Sequence, residues 1–219
     1  MKKTKKIPRK PFKNWDDEQV SIEFGLKRVK THIFIENIDA VEPIKAHPAK
    51  IAIEELRESL KEYVETWNED ELKTMFINPF VRLANFVSPN YKVFTQRPMS
   101  IKYANDSLIT EGKVEFMLAK GLKTPRKPYF FLHEYKPEKR RDNDPCGQLL
   151  IAMVASQKMN DDQLPLYGIY VVGRNWFFVI LDGNEYAVSK SYSAEDEEVF
   201  KIFAMLLYIK DIMEKIYAE

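Results

Sequence analysis

The chain has 219 residues, 45% hydrophobic and 13% aromatic, which suffices for one sizeable core and leaves two cramped. Its 34 Lys and Arg nearly cancel 33 Asp and Glu, so net charge selects no polyanionic partner and only the placement of charge can. The single cysteine, Cys146, excludes an intramolecular disulfide and points to a reducing cytoplasm, while the longest apolar run, Ile202 to Ile209, is too short to cross a bilayer.

Residues 1–13 carry Lys2, Lys3, Lys5, Lys6, Arg9, Lys10 and Lys13 with no acid and no signal-like apolar stretch, which reads as a basic, disordered tail over residues 1–15. An N-terminal extension follows over residues 16–67. Val20 to Lys45 mixes β-like pieces, such as Thr31 to Ile35, with acids and fixes no element. From Pro48, the spacing of Ile51, Leu56, Leu60 and Val64 predicts an amphipathic helix to about Trp67. The main core, residues 68–219, opens with a second helix, from about Asn68 to Phe86.

Three β-like segments come next, Tyr91–Tyr103, Leu108–Ala119 and Pro128–Lys136, with a turn at Asn105-Asp106-Ser107 and a Gly/Lys/Pro loop between them. They read as an antiparallel meander. Asp144-Pro145 supplies an N-cap and a first-turn proline for a helix to about Met159. Strands at Leu166–Val172, Trp176–Leu181 and Tyr186–Ser189 precede a last helix, from about Ala194 to Tyr217. Interleaved helices and strands predict an α/β fold with a mixed central sheet.

Glu134 and Lys136 end an aromatic strand and, two residues apart, share one face. Glu115 lies within an apolar strand on the face opposite Val114, Phe116 and Leu118, so pairing of the two strands brings two carboxylates together. Such a pair is stable at neutral pH only with a proton or cation between its members, and hard oxygen donors suit Mg2+ or Mn2+. Glu69 extends the apolar stripe of the second helix, and Gln148 heads that of the helix after Asp144. Each has an ordinary reading too: a strand-end ion pair for Glu134 and Lys136, an acid favoured by the helix dipole for Glu69, a first-turn amide for Gln148. A second basic cluster, Lys123, Arg126, Lys127, Lys139, Arg140 and Arg141, flanks the third strand as a candidate for phosphate contact.

Glu69, Glu115, Glu134-x-Lys136 and Gln148, in this order on helix, strand, strand and helix, resemble the PD-(D/E)XK nuclease superfamily, and Asn68 to Lys73 with Ile77-Asn-Pro79 is similar to the opening nuclease helix of type I restriction enzyme motor subunits. The resemblance covers about residues 68–181. It implies a restriction-endonuclease-like core that cleaves DNA with Mg2+, in which Glu115, Glu134 and Glu69 are metal ligands, Lys136 is the catalytic lysine and Gln148 supports the site. The chain departs from the family pattern at Glu115, where Asp after Pro is usual and Val114 precedes instead; the extra methylene displaces the carboxylate by about 1 Å.

Other classes compete. A cysteine nucleophile would pair Cys146 with His133, and zinc is disfavoured by the scatter of His32, His47 and His133. No P-loop or dinucleotide fingerprint occurs. A catalytically degenerate nuclease-like module that binds nucleic acid or protein is the main alternative. A homodimer or partner surface on the helix stripes and Trp176, Phe177 and Phe178 is a further one.

Overall fold

The computed structural model describes residues 7–44, 46–138, 143–160 and 163–218. A nine-stranded mixed sheet runs through it. The strands are β1 (Arg9–Pro11), β2 (Lys27–Arg28), β3 (Lys92–Tyr103), β4 (Leu108–Lys120), β5 (Arg126–Lys136), β6 (Leu166–Val172), β7 (Asn175–Asp182), β8 (Glu185–Val188) and β9 (Tyr192–Ser193). Their order is β1-β4-β5-β6-β7-β8-β2, with β3 on β4 and β9 on β7. β3, β4 and β5 form the antiparallel meander, whereas β5 and β6 are parallel and joined through helix α6 (Pro145–Met159). The remaining helices are α1 (Asp17–Phe24), α2 (Ile33–Ala40), α3 (Lys50–Tyr63), α4 (Glu69–Leu72), α5 (Asn78–Leu83) and α7 (Glu198–Ala218). The fold is α/β, a mixed sheet flanked by helices.

Helices cover both sheet faces. Leu149 and Met153 of α6 lie over Gly168, where an added Cβ would come within 3.0 Å of each. Trp176, on the other face, receives Phe76 and Phe80, and Phe80 in turn meets Phe203 of α7. α6 is buried nearly all round because α1 packs over its outer side; a Cβ on Gly147 would lie 2.4 Å from the Asp16 carbonyl carbon. Its start follows the predicted chemistry: the Asp144 carboxylate accepts from the Cys146 and Gly147 amides, with Pro145 at the first position.

Several expectations are corrected. The basic tail does not extend to residue 15: Arg9–Pro11 pairs with β4, and Phe12 and Trp15 are buried, because an aromatic pair at this point repays the ordering of the chain. The N-terminal extension has three helices rather than one, and Thr31 to Ile35 leads into α2 instead of forming strand, with the His32 ring capping the Phe34 amide. The second helix is interrupted by a π-helical turn, Lys73–Ile77. The last helix begins at Glu198, after a turn that includes Glu195. Buried side chains from Phe12 to Tyr217 form one cluster. Among the described residues, no helix is long and apolar enough to cross a membrane.

Candidate active site

β4 carries β3 along one edge; on the other, β1 pairs with Ile109–Glu111 and β5 with Phe116–Lys120. Residues 112–115 lie between these two partners. Glu115 stands in that fork, one step beyond the Phe116–His133 pair, so its register neighbour is Glu134. The next strand places Tyr170 beside Glu134, and Phe177 of β7 follows. Gln96 of β3 lies opposite Glu115 at the other end of this row, with a φ of 53°. A non-glycine residue in the left-handed region carries strain that its surroundings must offset, and here the Gln96 side-chain amide donates to Glu115.

Five side chains alternate in charge. Glu115 contacts the Lys73 ammonium at 2.8 Å, and the same ammonium lies 2.7 Å from Glu69. Glu69 reaches Lys136 at 3.4 Å, and Lys136 lies 2.9 Å from Glu134. The structure thus joins Glu69, Glu115, Glu134 and Lys136 through salt bridges. The Asn68 capping box starts the turn that presents Glu69, its side chain accepting from the Glu71 amide while Glu71 returns the contact. The following π turn carries Lys73, and such turns recur at functional sites. At the far end, the Gly173 amide donates to the Lys136 carbonyl at 2.9 Å.

The side chain of Glu134 is 4% exposed and that of Glu69 36%. Burial pushes the Glu134 carboxyl up to about 7; Lys136 pulls it down, and the charges of Glu115 and Glu69 push with burial. Glu69 is also opposed by burial, yet Lys73 and Lys136 together hold it below the usual carboxylate range. For Lys136 and Lys73, burial disfavours the ammonium, but the flanking carboxylates outweigh it and both are raised. Three carboxyls against two ammoniums leave the cluster one negative charge in excess when all are ionised. Oxygen donors and this excess fit a hard divalent cation. Among the described residues, however, no three His, Cys, Asp or Glu side chains form a metal-binding group; the ammoniums stand between the carboxylates.

Gln148 is in the first turn of α6, and its Oε1 is buried and accepts no hydrogen bond among the described residues. Lys123, Arg126 and Lys127 are exposed around the β4–β5 turn. Arg126 is ten residues from Lys136 along β5, roughly 30 Å, so these basic residues do not line the acidic cluster. Lys139, Arg140 and Arg141 lie outside the described residues, as does the start of the tail. The cysteine alternative finds little support: His133 bonds the Tyr135 hydroxyl at 2.6 Å and is pushed down to about 3 by burial, while burial raises the Cys146 thiol and so disfavours a thiolate.

Lys73 and Gln96 join the site in the fold without being among the candidates that the sequence marks. Lys73 had a signal, four residues after Glu69 on one helix face. Gln96 had none, since only strand register sets it opposite Glu115. No protein-family model matches the chain, and no curated protein matches it.

Proposed function

We propose that this protein is a divalent-metal-dependent nuclease that hydrolyses phosphodiester bonds in DNA on a restriction-endonuclease-like core. The observation that carries the reading is the convergence of Glu115, Glu134 and Lys136 at a fork in the sheet, with Glu69 reaching Lys136 from a separate helix. Glu115, Glu134 and Glu69 are the residues that would hold Mg2+ or Mn2+. When bound, such an ion would polarise the phosphate and acidify a water.

The chain's own groups have defined tasks in this reading. Lys136, kept cationic by its two carboxylate neighbours, orients the attacking water and offsets the negative charge that gathers on the oxygens around the pentavalent phosphorus. Burial pushes the Glu134 carboxyl up to about 7, so to hold a cation it would have to lose its proton, and metal binding would tighten as pH rises. Gln96 holds one oxygen of Glu115 and fixes the carboxylate's direction.

Nicking of supercoiled plasmid with Mg2+ or Mn2+ tests the proposal. Wild-type protein nicks, and Lys136→Ala slows nicking at least about a hundredfold. A second reading, a binding module that has lost metal chemistry, is favoured by the ammonium of Lys73 between Glu69 and Glu115, which neutralises them without an ion. It prevails if the wild type never nicks and Lys136→Ala binds DNA unchanged.

A further inference from the structure

A cavity of about 510 Å3 opens beside Lys136, within the range of small-molecule sites. Its lining includes Asp144 and Pro145 at the start of α6, Tyr170, Asn175 and Phe177. It lies at the carboxyl ends of the parallel strands β5 and β6, where open α/β sheets place ligands. Tyr170 and Phe177 stack on each other with centroids 4.5 Å apart and planes 10° from parallel. Neither ring is fully buried, unlike the neighbouring Trp176 and Phe178. The two rings continue the row of Glu115 and Glu134 across the sheet, one and two strands beyond Glu134, or roughly 5 and 10 Å.

The chemistry of the lining selects the occupant. The amides at the start of α6 are already taken by Asp144, which also accepts from the Asp17 amide at 2.9 Å. A phosphate at these amides would meet the Asp144 carboxylate, and among the described lining residues Lys136 is the cation. A flat ring with hydrogen-bonding edges suits the rest: apolar walls from Pro145 and the aromatic pair, with donors and acceptors from the Asn175 amide and Asp144.

We propose that this cavity is a nucleobase cradle: it takes one unstacked base of a DNA strand whose adjoining phosphate lies against Lys136. The proposal rests on the nuclease reading for the place of the phosphate, and it makes the preferred substrate a single-stranded or locally opened one. Stacking holds bases of any sequence, so the cradle admits all four. Paired DNA must first release a base, at the cost of unstacking.

The test uses the full chain in EDTA, where cleavage is silent. Binding of thymidine 5′-monophosphate is compared with that of 2-deoxyribose 5-phosphate and inorganic phosphate. Binding of a short oligothymidylate is then measured with one abasic position moved along it. The nucleotide binds about 5- to 150-fold more tightly than the sugar phosphate, and one abasic position costs a similar factor, the reach of a single base–aromatic stack. Phe177→Leu, which keeps apolar bulk at a half-buried position, erases most of the difference. Equal affinity for nucleotide and sugar phosphate, or an even cost at every abasic position, overturns the cradle. Preference for the nucleotide over the sugar phosphate in a protein that never nicks plasmid with Mn2+ leaves the cradle standing and sinks the nuclease reading; nicking without that preference does the reverse.

Discussion

Replacing Glu134 by Gln isolates the most perturbed carboxyl of the cluster. Its pKa rises from 4.5 to about 7 on folding, so between those values the folded chain holds a proton that the unfolded chain has lost. Stability from this group is therefore complete below about 4.5 and lost as pH rises through 7. At about 1.4 kcal/mol per unit, the loss is about 3 kcal/mol by pH 8. His133, pushed down to about 3 from 6.5, acts oppositely: it charges on unfolding, so its contribution grows as pH rises from 3 to 6.5. The informative quantity is accordingly the difference between the two proteins. In urea titrations, Glu134→Gln matches the wild type near pH 4.5 and exceeds it by about 3 kcal/mol at pH 8. Added Mn2+ then stabilises the wild type more at pH 8 than at pH 5.5, and the variant less at both. A variant less stable than the wild type at pH 8, or wild-type stabilisation by Mn2+ that is no greater at pH 8 than at pH 5.5, refutes the assignment of Glu134 as a buried, protonatable metal ligand.

Lys73→Met removes the ammonium between Glu69 and Glu115, so Mn2+ affinity followed by calorimetry rises at least about tenfold, the scale of one close charge contact near a surface; unchanged affinity denies Lys73 the role of competitor. Gly147→Ala drives a methyl into the Asp16 backbone and lowers unfolding free energy by about 1–3 kcal/mol; a neutral result means that α1 does not seat on α6 as described. Phe12→Ala costs about 3–5 kcal/mol in the same denaturation assay, whereas a solvated tail would lose nothing.

Local patterns settled much of the fold from sequence. Asp144-Pro145 set the start of α6 because a cap and a proline act within one turn, and the residues of β3 to β7 are β-branched or aromatic runs set between turn signals. The same locality explains what stayed hidden. β1 and β2 are two or three residues long and exist only through distant partners, β4 and β8. α1 carries few apolar residues, so its docking on α6 left little periodic trace. Sequence offered Glu69, Glu115, Glu134 and Lys136 as candidates from their places on strand ends and helix stripes. That they share two ammoniums, that Gln96 is strained against Glu115, and that Tyr170 and Phe177 extend the row follow from the register of strands remote in the chain. Side-chain type is written residue by residue, but which charges become neighbours depends on pairing that no local window contains.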